Sequence, residues 1–238
     1  MTDPIEWDQE GWEEMCMKNY SMFDVIGPNM IGPSSSHTAG ACRLGKVAYK
    51  IAEGDIKKVT FLLHGSFGKT YKGHGTDKAL VAGILGFDPD DEQIKYSFQM
   101  AKEKEILFSF VEEDLGEVHP NTAKIMIEKA DGKELSILGS SIGGGSIIIT
   151  EINDLKLEFT GEYPTIIVSH KDRPGLIAKT TAILCEYGIN IAFMRVYRYH
   201  KGQNAFMIIE TDNEIVPEVV GDIKKVAEID NAYLISIK

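Results

Sequence analysis

The sequence predicts a mixed α/β domain followed by a ferredoxin-like βαββαβ domain, and three features carry that expectation. From Tyr163 onward, β-branched runs and helical patterns follow in the order strand, helix, two strands, helix, strand, which is the ferredoxin-like arrangement. Before that point helical and strand patterns intermix, with Asp131-Gly132 between two apolar runs as a two-residue hairpin signal. Residues 153–161 read as a linker between the two patterns, giving domains over 1–155 and 162–238.

The first seventeen residues combine Trp7 and Trp12 with many carboxylates, which suits either a short amphipathic helix docked on a partner or an acidic arm. From Thr38, the apolar residues Ala41, Leu44, Val47, Ala48 and Ile51 recur at helical spacing, with Gly54 as the stop. Residues 57–63 form a predicted strand that ends in a Gly-rich loop carrying His64, Ser66 and His74. Thr76 or Asp77 then caps a helix reaching Leu85, and a further helix spans 93–104. Strands follow at 106–111, 123–129 and 134–139, and the SSIGGG run at 140–145 interrupts them as a tight bend or a ligand cradle. A strand resumes at Ile147, Ile148 and Ile149.

In the second domain a strand at 165–169 precedes a helix at 174–187. That helix is started by Asp172-Arg173-Pro174-Gly175 and stopped by Gly188. Strands at 189–199 and 204–211 turn around Lys201-Gly202, and a helix at 217–227 leads to a last strand at 232–237.

Composition narrows the function. Lys and Arg number 25 against 36 Asp and Glu, a net charge of −11, which disfavours nucleic acid and anionic membrane surfaces as partners. Cys16, Cys42 and Cys185 are far apart and odd in number, so neither a disulfide framework nor a CxxC metal site is predicted. No apolar run approaches the roughly 20 residues that span a bilayer. The chain reads as a reduced, cytoplasmic protein.

Gly32 to Thr38 spell GPSSSHT at the mouth of the first predicted helix. A helix start needs one oxygen-bearing cap, so adjacent hydroxyls remain for a small polar ligand, and an anion there meets backbone donors, the helix dipole and His37. His37, His64, His74 and His119 all fall in predicted loops of this domain. Each motif alone has a plain structural reading: a serine run as a cap, a glycine triplet as a turn, a histidine as a hydrogen-bonded loop residue. Their common occurrence favours a site. No HxxxH or HxH spacing supports metal binding, and no G-x-S-x-G elbow supports a hydrolase built on Ser36 and His37. His170, His200 and Arg43 read as surface groups, Glu112-Glu113-Asp114 as an exposed loop, and Cys42 as a small apolar residue.

Asp172-Arg173-Pro174-Gly175, Gly188-Ile189-Asn190-Ile191 and the element order around them resemble an ACT domain, a module that binds regulatory amino acids between paired copies. The resemblance implies self-association through this domain. It also implies an effector site lined by Asp172, Arg173, Gly175 and Leu176, with Asn190 facing them.

GPSSSHT, KGHGTDKA at 72–79, HPNT at 119–122 and SSIGGGS at 140–146 resemble the beta-chain region of bacterial iron–sulfur L-serine dehydratases, a unit called the allosteric-substrate-binding domain in phosphoglycerate dehydrogenases. The resemblance implies a subunit of an enzyme that converts L-serine to pyruvate and ammonia. It implies no cofactor on this chain and a 4Fe-4S cluster on a separate alpha subunit, without which the chain is inactive. Ser34, Ser35, Ser36 and Thr38 would form a carboxylate-binding wall with His37. His74, or else His119, would move the proton, while Asn121, Ser141, Gly143 and Gly144 would hold substrate. A purely allosteric sensor of L-serine or another amino acid, lending no catalytic group, is the competing reading.

Overall fold

Burial alternates along β1 (Lys58–Leu63): Val59, Phe61 and Leu63 are buried while Thr60 and Leu62 are only partly covered, the signature of a sheet packed on one face. The computed structural model describes residues 29–53, 56–198 and 200–236. Trp7, Trp12, Cys16, the Gly54 stop, Tyr199 and the end of the last predicted strand lie outside them. β1 belongs to a six-stranded sheet of order β2-β1-β3-β4-β5-β6, with β2 (Leu107–Glu112), β3 (Thr122–Glu128), β4 (Glu134–Gly143), β5 (Ser146–Ile152) and β6 (Leu155–Phe159). Only the β1–β2 pair is parallel, and its crossover runs through helices, as parallel pairing requires.

Those helices are α2 (Gly65–His74), α3 (Thr76–Ile84), a 3₁₀ turn (Glu92–Tyr96) and α4 (Ser97–Glu103). Ahead of β1, a π-helical turn (Ser35–Gly40) runs into α1 (Ala41–Ala52). Leu44, Val47 and Ile51 of α1 join Leu80 and Ile84 of α3 and Phe61, Ile125, Ile137 and Ile149 of the sheet in one core. The two helices cross at Gly45 and Gly83. A Cβ on Gly83 would lie 2.1 Å from the Cys42 carbonyl oxygen, and one on Gly45 would lie 2.4 Å from that of Leu80.

Several expected loops are regular structure. The Gly-rich segment after β1 is α2, because its glycines serve close approach: a Cβ on Gly68 would meet the Leu63 carbonyl oxygen at 2.7 Å. Gly75, at φ 74°, separates α2 from α3, so neither Thr76 nor Asp77 is the cap. The helix expected at 93–104 divides into the 3₁₀ turn and α4, with Asp91 capping through the Gln93 N–H. The SSIGGG run continues β4 to Gly143, and Gly144 and Gly145, both at positive φ, make the hairpin turn into β5. The segment read as a linker contains β6, an edge strand with Leu155, Leu157 and Phe159 buried.

The second sheet, of order β10-β7-β9-β8, comprises β7 (Thr165–Lys171), β8 (Ile191–Arg198), β9 (Asn204–Thr211) and β10 (Ile229–Ile235). With α5 (Leu176–Glu186) and α6 (Pro217–Lys224) it completes the βαββαβ order. Ile166, Val168, Met207 and Ile209 pack on Leu176 and Leu184 of α5 and Val219 and Ile223 of α6. The opposite face, through Ile167, Phe206, Ile208 and Ile235, joins the core of the first domain. Glu53 after α1 accepts hydrogen bonds from Lys224 at 2.7 Å and Asn231 at 3.3 Å across this contact.

Ala at position 83 must push backbone apart, so Gly83→Ala is expected to lose about 1–3 kcal/mol of stability in urea unfolding. Gly221→Ala on α6, where a Cβ meets nothing within 4 Å, is expected to hold or gain up to about 1 kcal/mol.

Candidate functional site

The mouth of α1 shows what a three-serine run does. Ser34 is extended (φ −140°, ψ 122°) and its Oγ accepts the His37 N–H at 3.3 Å, the ordinary N-cap bond. Thr38 donates its hydroxyl to the Ser34 carbonyl at 2.6 Å and is buried against Gly32, whose φ of 136° and contact with Thr38 exclude a Cβ. Ser35 and Ser36, half-buried, make no side-chain hydrogen bond among the described residues. One serine therefore caps the helix and two hydroxyls remain unengaged. The turn they occupy is π-helical, a widened geometry that often accompanies function.

His37 is held on every side. Its Nδ1 lies 3.4 Å from Ser34 Oγ and its Nε2 lies 3.2 Å from Ser66 Oγ. Its ring meets Phe67 edge-on at 5.2 Å and tilts over His74 at 4.9 Å. Burial, and secondarily the charge of His74, hold the His37 imidazole below its ordinary pKa, so it is neutral at neutral pH. His74, at the end of α2, is exposed, and its ring nitrogens have no hydrogen-bond partner among the described residues.

The other motifs join this pair through the backbone. The Pro120 carbonyl accepts the Ser66 N–H at 2.8 Å, the Ser141 N–H reaches the Asn121 carbonyl at 2.9 Å, and Thr122 Oγ1 and Ser140 Oγ are 2.7 Å apart. Arg43 donates to the Gly145 carbonyl at 2.8 Å, so it is a tie between α1 and the β4–β5 turn rather than a solvated surface charge. A hollow of about 310 Å³ opens beside the histidines, lined by Gly32, Pro33, Thr38, His74 and the cations Lys72, Lys78 and Lys95. A larger one of about 430 Å³ lies on the open sheet face around Lys124 and Glu134, away from these motifs.

Of the predicted site residues only Thr38 and His74 line the hollow; Ser34, Ser35, Ser36 and His37 do not. His119 accepts the Asn121 N–H at 3.1 Å within its own turn, and Ser141 is fully buried under Gly40, where a Cβ would lie 2.0 Å from its Oγ. Gly143 and Gly144 form the hairpin end. His64 accepts the Leu115 N–H at 3.1 Å and lies 3.5 Å from Asp114, so it closes its strand, and the acidic run has a partner. From sequence, Ser66 falls in the Gly-rich loop and Lys72 and Lys78 within KGHGTDKA, none with a role read for it, and Lys95 is not singled out; the contact of Ser66 with His37 spans 29 positions and has no local signature.

Among the described residues no group of three or more His, Cys, Asp or Glu stands where it could hold a metal ion. Cys42 does not fit as a cluster ligand: its thiol is buried, donates to the Phe87 carbonyl, and is pushed up to about 12 by burial. Cys185 is exposed on α5 in the other domain. No helix among the described residues is long and apolar enough to cross a membrane.

At the effector end, Asp172 accepts the Gly202 N–H at 2.9 Å and Arg198 at 3.2 Å, and these bonds lower its carboxyl pKa. Arg173 and Gly175 are exposed, while Leu176 is buried in the α5 packing. Asn190 does not face them within one chain. It donates to Asp212 beyond β9, whereas Lys171 pairs with Asn204 at the other end of that strand, roughly 24 Å away at 3.4 Å per residue. His170 is buried at 2% exposure, not on the surface, with Nδ1 2.7 Å from the Lys171 carbonyl and Nε2 unpartnered among the described residues.

Comparison with known proteins agrees with this arrangement. The profile described as "Serine dehydratase beta chain" matches residues 21–152, and the one described as "ACT domain" matches residues 164–228. The probable L-serine dehydratase beta chain of Bacillus subtilis (strain 168) is 47% identical over 90% of this chain and 96% of its own. The L-serine dehydratase beta chain of Peptoniphilus asaccharolyticus is 40% identical over 93% of this chain and 100% of its own. A D-3-phosphoglycerate dehydrogenase of Methanocaldococcus jannaschii is 28% identical over 82% of this chain but only 36% of its own length. With relatives matched from end to end and a profile spanning more than half of its residues, the chain belongs to the serine dehydratase beta-chain family and ends in an ACT domain.

Proposed function

We propose that this chain is the beta subunit of a cytoplasmic L-serine ammonia-lyase, completing an active site with an alpha subunit that carries the 4Fe-4S cluster. One observation carries the reading: the clamped His37 tilts over the unpartnered His74, which with Thr38 lines a lysine-rimmed hollow, and the unengaged Ser35 and Ser36 directly precede His37 in the chain. A compact zwitterion fits that chemistry. Its carboxylate lies at the mouth of α1, held by Ser35, Ser36 and the positive field of Lys72, Lys78 and Lys95.

His74 takes the α proton. The electron pair released from Cα–H becomes the Cα=Cβ bond as the Cβ–O bond breaks, and the protonated His74 returns its proton to the departing hydroxyl, which leaves as water. The enamine becomes an imine, water adds, and pyruvate and ammonia leave. His37 stays neutral beside His74 and keeps its ring in place. The cysteines described here do not serve the cluster, and no step of this chain passes through it. Asn121 holds the Ser141 backbone through its carbonyl, and His119 holds Asn121 by accepting its N–H.

The ACT domain binds a regulatory amino acid, L-serine or another, at Asp172, Arg173, Gly175 and Leu176. Asn190 completes that site from a second copy, since one chain sets it at the far end of the sheet. Edge strand β8, with Phe193 and Val196 exposed, and the exposed Ile177 of α5 offer the self-association surface.

Replacing His74 with Asn in the reconstituted alpha–beta pair is expected to cut pyruvate formation by about 10²–10⁴-fold with iron content unchanged. Near-normal turnover would remove His74 from the mechanism. His37→Ala is expected to abolish turnover, whereas a pure sensor would show only altered activation at low serine. By histidine NMR titration, His37 is expected below the ordinary value of about 6.5. His74→Ala should raise it only part of the way, because burial, the larger cause, persists.

A further inference from the structure

Ser66 sits in the first turn of α2, and its place is built by contacts that serve no evident folding need of their own. Gly65 adopts φ 56°, and a Cβ there would lie 2.7 Å from the Pro120 carbonyl oxygen and 2.9 Å from Pro120 Cα. That approach lets the Pro120 carbonyl accept the Ser66 N–H at 2.8 Å, while Thr70 donates to the Ser66 carbonyl at 2.8 Å. The Ser66 backbone is thereby fixed from both sides, and its Oγ reaches His37 Nε2 at 3.2 Å.

Ser34 Oγ accepts the His37 backbone N–H at 3.3 Å and keeps one hydrogen and one lone pair, so it can meet His37 Nδ1, 3.4 Å away, in either tautomer. Ser66 Oγ makes the shorter contact, 3.2 Å at Nε2, and has no other side-chain partner among the described residues, so a ring proton on Nε2 finds a free acceptor there while Ser34 gives its hydrogen to Nδ1. The titratable neighbour whose charge bears on His37 is His74, on α2, and the cations bordering the adjoining hollow are Lys72 of α2, Lys78 of α3 and Lys95 of the 3₁₀ turn. In that tautomer one nitrogen is covered and the other protonated, which leaves His37 no free lone pair to act as a base.

We infer that Ser66 is a positioning residue that holds His37 as its Nε2–H tautomer, with the ring plane fixed against His74. The inference rests on the proposed lyase reading only for its consequence in turnover. Fixing the imidazole keeps a neutral ring against His74, which lines the hollow, and leaves His74 as the proton acceptor.

The test uses the full chain labelled with ¹⁵N-histidine, read by long-range ¹H–¹⁵N correlation above neutral pH, together with pyruvate assays of the alpha–beta pair. The wild type is expected to show the Nε2–H pattern for His37. Ser66→Ala should move it toward Nδ1–H, which can still donate to Ser34, and lower kcat about 10–100-fold with little change in KM. Ser66→Thr keeps a hydroxyl in place, so it should retain the wild-type pattern and recover most of the turnover. An Nδ1–H pattern in the wild type, or an unchanged His37 spectrum in a folded Ser66→Ala chain, overturns the inference even if activity falls. If instead the wild-type pair makes no pyruvate from L-serine, the lyase reading fails while the spectra still decide the role of Ser66.

Discussion

Helix α1 can rest on the sheet and on α3 only because glycine faces its neighbours at the points of contact. Any side chain at Gly40 would overlap Ser141, and any at Gly45 or Gly83 would overlap the opposite backbone. The tight seat fixes where the helix begins, and the beginning of the helix is where Ser34 to Thr38 stand. From that seat the remaining geometry follows: Arg43 ties α1 to the β4–β5 turn, Ser141 ties that turn to Asn121, and Pro120 ties the same segment to Ser66. The site is thus a property of one helix mouth and the strand ends beneath it, in keeping with the placement of chemistry on loops held by a rigid scaffold.

The same helix ends against the ACT domain. Its mouth carries the histidine pair, while Glu53, just past its last turn, bonds Lys224 and Asn231. These exposed contacts contribute little stability individually. The apolar contact beside them contributes more, since Ile167, Phe206, Ile208 and Ile235 are buried in the first domain's core. A βαββαβ sheet that covers one face with its own helices has a second face to bury, and here the first domain provides the cover.

Much of this was legible in the sequence because it rests on local periodicity. The apolar stripe of α1, the Asp131-Gly132 hairpin and the βαββαβ order all depend on neighbours a few residues apart, and all three are observed. What was not legible depends on contacts between distant segments. Gly65 and Gly68 look like loop residues until Pro120 and Leu63 are placed against them. β6 is a strand of only five residues next to turn-forming Asn153 and Asp154, and it declares itself by pairing with β5. The burial of His170 and the separation of Asn190 from Asp172 follow from sheet packing and register, which no local pattern encodes.

The histidine pair shows how the fold gives two like groups different surroundings. Two imidazolium charges about 5 Å apart would repel by about 3 kcal/mol at an effective dielectric of 20, and by less as water screens the exposed ring. Double charging of the pair is thus disfavoured, and the surroundings of the two rings differ. His37 is partly desolvated and has hydroxyls at both nitrogens, while His74 stands at the exposed end of α2 with both nitrogens unpartnered among the described residues. Burial penalises the charged form of the first and holds it below its ordinary range. Four residue types that are unremarkable singly, serine, histidine, glycine and lysine, thus yield a fixed neutral ring beside one that is free to accept a proton.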